Sequence, residues 1–456
     1  MRGEKCRGAQ VLQARRRGGE IVSYGLVTLL CPPAPLLPCP LPHLLFPASP
    51  ATLWFVKKST PSPVMTHSSP SASPKSGIVT WLRQNLFSTW YNSLLTVICL
   101  VGLFLGLRGL LVWAIAQAQW GVIAANLPLF FVGRYPDESY WRLWIVLGII
   151  LTLIGISWGI NQRSERLFNR PVLVAAGVVA VVILFLPLAL VPRLWLLAML
   201  LLLLAGTGLG NRFAAQGNWL YLAWLLSFPI ILWLIAGGLG WESVESDRWT
   251  GLLLTLLTAV VSIVLSFPIG VLLALGRQSQ LPVVRLLSIL YIEIVRGLPL
   301  IGILFLALVM LPLFLPAGVQ WDRVVRAIAG LTLFSAAYLA ENVRGGLQAV
   351  PPGQVEAAKA LGLKSPLITM LIVLPQALKA VIPALVGQFI GLFKNTSLLS
   401  LVGLVELVGI SRSILANPNY LGRYAEVYLF VGVIYWIFCY GMSFASRRLE
   451  KKLNIE

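Results

Sequence analysis

Charge is what this sequence has least of. Only 11% of its 456 residues are Asp, Glu, Lys or Arg, against 58% hydrophobic and a mean hydropathy of +0.85. No soluble core absorbs that much apolar surface, so the composition excludes a soluble globular fold and points to a polytopic membrane protein. Histidine is nearly missing: His43 and His67 both fall in the irregular N-terminal stretch. Metal chemistry built on imidazole and a His-based triad therefore lack their residues. The five cysteines, Cys6, Cys31, Cys39, Cys99 and Cys439, form no C-x-x-C pair, and the last two lie in apolar runs. They argue for neither a disulfide framework nor a zinc site. Also absent is G-x-x-x-x-G-K-[ST]; Gly362-Leu363-Lys364-Ser365 lacks the leading glycine and the adjacent Gly-Lys pair, so no phosphate cradle forms. No paired carboxylates in a polar stretch suggest hydrolase work either. The chain is expected to bind no metal or cofactor and to catalyse nothing by itself.

The charge that is present is lopsided, 35 Lys and Arg against 16 Asp and Glu, for a net +19 and an isoelectric point near 10.2. Nucleic acid is one partner that such basicity suggests. Here the basic residues gather in short loops between apolar runs, which is the positive-inside signature, and no nucleic-acid partner is expected.

Residues 1 to about 75 differ in kind from the rest. The run CPPAPLLPCPLPHLLFPASP is too rich in proline to continue a helix. The apolar run Ile21 to Cys31 follows Arg15-Arg16-Arg17 as in a signal peptide, yet no clear small-residue cleavage site comes after it. The preferred expectation is a start at Met65, with residues 1 to 64 an upstream misannotation and MTHSSPSASPKSG a disordered tail.

From Asn92 onward about ten segments are long enough to cross roughly 30 Å of hydrocarbon. They cover about 93 to 116, 142 to 160, 171 to 191, 194 to 210, 218 to 239, 250 to 275, 287 to 316, 324 to 347, 376 to 397 and 425 to 446. In lipid they must be helices, so the fold class is an all-α membrane bundle. The loop NQRSERLFNR, the tail from Ser446 to Lys452, and Arg277 and Arg285 share one side, which makes that side and both termini cytoplasmic. The acidic, aromatic segments GRYPDES and WESVESDRW share the other. The chain divides near Trp241 to Thr250: residues 76 to 249 hold about five spans with few polar residues, whereas residues 250 to 456 hold about five with ionisable groups in or beside them.

One polar insert, Pro351 to Ala377 (PPGQVEAAKALGLKSPLITMLIVLPQA), interrupts the second half on the cytoplasmic side. Glu356 to Leu361 are good helix formers, Gly362 permits a tight turn, and Pro366 suits the first turn of a second short helix. By propensity alone this is either a docking element or an ordinary hairpin.

The motif Glu356-Ala357-Ala358, Gly362, Ile372-x-Leu374-Pro375 resembles, at every defining position, the EAA loop of permease subunits of bacterial ABC import systems. The segments from Ser335 to Leu363 and from Tyr291 to Phe305 are similar to the polar amino-acid permease branch of that family. Val309 to Pro316 and the extra N-terminal spans resemble the longer permease subunit of general L-amino-acid uptake systems. The similarity is strong over residues 250 to 453, looser over 80 to 249, and none is found for 1 to 64.

The resemblance implies a type I ABC importer permease core in the C-terminal half, carrying polar or general L-amino acids across a bacterial plasma membrane. It implies a second homologous permease subunit, ATP-binding cassette subunits that use ATP and Mg, and an external amino-acid-binding protein as partners. It further implies that Glu356, Ala357, Ala358, Gly362, Ile372, Leu374 and Pro375 couple the spans to the ATPase. A permease for another small solute and a secondary amino-acid transporter are the alternatives; the second needs coupling-ion sites and repeated halves, which the sequence does not display.

Two pairs of ionisable residues, Glu293 with Arg296 and Glu341 with Arg344, are spaced to face one another on a helix. Glu341 and Arg344 are expected as a structural ion pair. Glu293 and Arg296 are either another such pair or a lining of the pathway that meets the ammonium and carboxylate of an amino acid. Lys394-Asn395-Thr396-Ser397 breaks an apolar stretch, and an intramembrane lysine is a functional candidate by default, with snorkelling to an interface as the bland alternative. In permeases that it resembles, this segment lies close to the translocation pore.

Overall fold

The computed structural model describes residues 78–161, 170–185, 189–212, 219–238, 240–316 and 321–453. The expectations for the region before residue 76, Met65 included, fall outside these, as does nearly all of the loop NQRSERLFNR. By internal contacts the chain forms two units, Met1–Ser93 and Leu94–Glu456. The described part of the first holds α1 (Ile78–Asn85) and the opening turn of α2 (Trp90–Val112).

The second unit continues with α3 (Gly121–Phe131), α4 (Tyr140–Asn161), α5 (Arg170–Phe185), α6 (Leu190–Arg212) and α7 (Trp219–Ala236). It then runs through α8 (Gly251–Arg277), α9 (Pro282–Gly297), α10 (Leu300–Phe305), α11 (Leu311–Phe314) and α12 (Arg323–Ala349). The hairpin helices α13 (Pro352–Ala360) and α14 (Ser365–Ile368) precede α15 (Leu374–Asn395), α16 (Leu407–Leu415) and α17 (Tyr424–Leu453). Among the described residues the only β pairing is two isolated bridges.

Among the described residues eight helical runs are long and apolar enough to span a bilayer, and a ninth is a bent pair. The difference from about ten lies mainly at α5, whose described extent is shorter than a span. The segment expected over 287 to 316 is this bent pair: α9 and the α10–α11 run meet at 104°. Leu298 and Pro299 are both extended there, because proline withholds an N–H and crowds the residue before it out of helical geometry. Proline also explains the π turns at Leu306–Met310 and Thr369–Val373, which lie just before Pro312 and Pro375. Widening one turn lets the helix pass a ring that cannot donate four residues back. The carbonyl so abandoned by Pro312, Leu308 O, accepts from the buried Arg326 Nη1 at 2.5 Å.

Close packing is built on small residues. Gly155 and Gly159 on α4 and Gly206 and Gly210 on α6 are each four apart, so each pair lies on one face. A Cβ at Gly155 would stand 2.4 Å from Leu203 O, and one at Gly159 2.2 Å from Thr207 O, so the backbones meet with no room for a side chain. On α8 the stripe Thr255, Thr258, Ser262, Ser266 is wholly buried; Ser262 Oγ reaches Ile328 O of α12 at 3.4 Å.

Three hydrophobic clusters hold the second unit together. One joins Tyr135, Val146 and Leu234 to Leu254, Leu304 and Leu331, so α4 and α7 pack onto α8, α10 and α12 across the Trp241–Thr250 segment. Another sets Val122 and Phe130 of α3 against Leu407, Ile410 and Val427. The third gathers Ala274, Ile292, Val343, Ala377 and Val381 beneath the hairpin.

Candidate functional site: hairpin, charged cluster and buried carboxylate

The hairpin begins two residues beyond α12. Helix α13 ends at Gly362, whose φ of +79° lies in the left-handed region. Gly362 N donates to Lys359 O at 2.9 Å and Leu363 N to Ala358 O at 3.2 Å, the paired bonds of a Schellman cap that glycine makes cheap. The expected second short helix is not separate: α14, the π turn and α15 run on as one helical stretch from Ser365 to Val402. Propensity could place Pro366 at a helix start but could not tell how far that helix went.

Ala358 and Ile368 are buried and clamp the two arms together. Glu356, Ala357, Gly362 and Pro375 are exposed, while Ile372 and Leu374 are half-buried on the long arm. Leu361, Leu367, Met370 and Leu371 are exposed as well, Leu361 at 82%. An apolar tip of this kind on a polar hairpin has the character of a protein-docking surface. The long arm meets α12 tightly, since a Cβ at Gly346 would lie 2.6 Å from Ala377 O.

Two turns before the end of α12, Glu341 gathers arginines from three helices. Arg344 donates to its Oε1 through Nε at 2.9 Å and also through Nη2. Arg277 of α8 stands 3.4 Å and Arg296 of α9 3.7 Å from Oε2. The i to i+3 pairing of Glu293 with Arg296 does not form: Glu293 bonds Arg277 at 3.0 Å, and Arg296 turns to Glu341 and over the Tyr338 ring. A pair on one helix gains only a few tenths of a kcal/mol, too little to compete with a shared carboxylate between packed helices. Arg277, which the sequence offered only as a loop charge, is thus a cluster member. Three arginines face two carboxylates here.

Lys394, Asn395, Thr396 and Ser397 lie toward the far end of the Ser365–Val402 run, where α15 tightens into a 3₁₀ turn over Thr396–Val402. Lys394 is exposed, Asn395 and Ser397 are half-buried, and Thr396 is fully buried with its hydroxyl on Phe393 O at 2.7 Å. Phe393 packs on Tyr435 of α17, ring centroids 5.2 Å apart.

The sequence reading missed Glu406, in the connection between the last two spans. It is fully buried, caps α16 by accepting from Val408 N at 2.8 Å and Gly409 N at 3.1 Å, and accepts from the Tyr435 hydroxyl at 3.3 Å. Burial pushes its carboxyl up to about 7, opposed by those backbone donors. Its neighbour Leu407 N donates to Thr255 Oγ1, and Gly251 N donates to Val405 O, tying the start of α8 to this loop. Only its position before the short amphipathic stretch Leu407–Leu415 marked it as an N-cap.

Residues 266–455 match the family described as "Binding-protein-dependent transport system inner membrane component". Over 402 residues the chain is 38% identical to the inner membrane amino-acid ABC transporter permease protein YhdY of Escherichia coli, covering 84% of this chain and 95% of that one. It is 38% identical over 422 residues to the glutamate/glutamine/aspartate/asparagine transport system permease protein BztC of Rhodobacter capsulatus, with 83% and 94% covered. The probable glutamine ABC transporter permease protein GlnP of Bacillus subtilis is 36% identical but covers only 44% of this chain, against 91% of its own. Among solved structures, one described as an amino acid ABC transporter with histidines shares 31% identity over 44% of this chain and 92% of its own, with a TM-score of 0.41. With 38% identity sustained over nearly the whole of two long relatives, the chain belongs to the amino-acid ABC transporter permease family.

Proposed function

We propose that this chain is the membrane permease of an ATP-driven importer of polar or general L-amino acids, lodged in a bacterial inner membrane with both termini in the cytoplasm. The observation that carries the reading is the exposed hairpin: an apolar tip fixed by a left-handed glycine and continuous with a spanning helix. The sequence offers no phosphate-binding motif, so hydrolysis belongs to separate ATPase subunits that use ATP and Mg. ATPase and binding-protein partners are the general rule of the family, and a second permease chain and an external amino-acid-binding protein complete the assembly in this reading.

Coupling runs through Glu356, Gly362 and Pro375, with Ala357 at the surface and Ala358, Ile372 and Leu374 shaping the arms. Partner closure on the hairpin shifts the core between two arrangements only to the extent that the partner's contact free energy differs between them. The substrate is met in the core, with Glu293, Arg296 and Lys394 to Ser397 as the pathway groups. The excess positive charge of the arginine cluster suits a carboxylate in transit.

Gly362→Arg tests the reading in proteoliposomes containing the full complex. A non-glycine residue in left-handed geometry costs roughly 1–2 kcal/mol, too little to prevent insertion, and places a long cation in the docking surface. The variant is expected to insert and assemble at near wild-type levels and to lose ATP-driven uptake at least tenfold. Normal uptake would refute the coupling role.

A further inference from the structure

Helix α2 is unlike every other span. The helical run Trp90–Gln117 buries none of its residues, and it carries Arg108 deep in its apolar stretch. At 1.5 Å per residue Arg108 lies roughly 13 Å along the axis from Gln117 and roughly 22 Å from Ser93. Helical side chains lean toward the N-terminus, so the stem of Arg108 leaves the backbone away from the nearer end of the run, Gln117. Among the described residues Arg108 has no ion-pair or hydrogen-bond partner. Val101, Phe104 and Leu111, at helical spacing from Arg108, share its face and are each about half exposed or more.

An unpaired cation in hydrocarbon is costly and calls for an anion at the same depth. Four of this chain's described carboxylates in or beside the spans are already engaged. Glu293 and Glu341 hold the arginine cluster, Glu406 caps α16, and Glu426 accepts from Gln119 N at 3.0 Å. A second copy of the chain therefore has none of these to spare. The family model matches residues 266–455, so α2 lies outside the part that it describes.

We propose that the Arg108 face of α2 docks a transmembrane helix of the importer's second permease chain, through a carboxylate that the partner helix places opposite Arg108. The proposal rests on the multi-chain importer reading above. The N-terminal spans then serve to select the permease partner, by an ion pair that neither chain can satisfy alone.

The test uses the whole complex, with the chain co-expressed from its own operon and purified through it. A photo-crosslinking residue is placed at Phe104 or Leu111, and at Leu103 on the far side as control. Cross-links from Phe104 and Leu111, but not from Leu103, to one distinct membrane chain are expected by mass spectrometry. Arg108→Leu, which inserts at least as readily as wild type, is expected to cut that cross-link and the co-purified chain at least tenfold. Arg108→Lys should retain both within about threefold. Cross-links only to lipid, cross-links to a second copy, or full retention of the partner by Arg108→Leu would each overturn the proposal. A wild-type preparation that retains the ATPase but no second membrane chain also overturns it while leaving the importer reading intact; loss of the ATPase from wild type counts against the importer reading instead.

Discussion

Replacing Glu341 by glutamine removes one charge from the point where three helices meet, and the geometry sets what that should cost. Arg344, Arg277 and Arg296 all lie within ion-pairing distance of its carboxylate, and the Glu341 side chain is 22% exposed. Breaking a fully buried pair costs about 3–5 kcal/mol, because the surviving charge is stranded. Partial exposure lets water take up some of that burden, so about 2 kcal/mol is expected here. Glu293 provides the control: its side chain is 55% exposed and it touches Arg277 alone, so Glu293→Gln should cost no more than about 1 kcal/mol, the ceiling for exposed pairs. The amide introduced in place of the Glu341 carboxylate still accepts from one arginine but cannot neutralise three. In detergent, Glu341→Gln should lower the midpoint of thermal unfolding by about two degrees, and Glu293→Gln by about one at most. Size-exclusion profiles of heated samples would read both. An equal shift for the two variants, or a larger one for Glu293→Gln, would show that Glu341 is not the organising charge.

Two further outcomes follow from packing and burial. Gly159→Leu inserts a branched side chain where even a Cβ would sit 2.2 Å from Thr207 O, so α4 and α6 must part and the yield of folded, monodisperse protein should fall several-fold; Gly208→Leu, where a Cβ meets nothing, should be tolerated. Glu406 has a folded-state pKa of about 7, above its ordinary value, so its stabilising contribution is complete below about pH 4.5 and is lost as pH rises through 7. Thermal midpoints measured from about pH 5 to 8 should therefore decline in wild type and decline less in Glu406→Gln; identical slopes would remove the carboxylate from the account.

Composition and run length made the membrane class legible, because nothing but spans can accommodate so apolar a chain. The hairpin was equally legible, since its glycine and prolines are local signals that need no tertiary context. Tertiary choices were harder to read. The spacing of Glu293 and Arg296 promised a pair on one helix, yet Arg277 and Glu341 on neighbouring helices offered each a better partner. The segment over 287 to 316 was read as one span, and its turn through 104° at Leu298-Pro299 depends on packing that run length does not carry. Glu406 was invisible because an isolated acid in a loop reads as solvated until α8 and α17 are seen to close over it. The glycines of α4 and α6 carried a readable four-residue spacing, but their partner in space was not encoded locally.

These pieces combine into a constraint on how movement can pass through the chain. The arm from Ser365 to Val402 is one helical run, so a push at the hairpin cannot be absorbed by a hinge between hairpin and span. Its one irregularity near the hairpin is the π turn at Thr369–Val373, where the backbone is widened to pass Pro375. Beyond it the backbone of Ala377 is pressed against Gly346, so α12, and with it Glu341, must follow the arm. Glu341 in turn holds the ends of α8 and α9 through Arg277 and Arg296. A displacement of the hairpin thus has a continuous route to the Leu298-Pro299 bend, and the arginine cluster is the joint through which it passes. Weakening that joint should therefore reduce the uptake gained per ATP hydrolysed before it reduces hydrolysis itself.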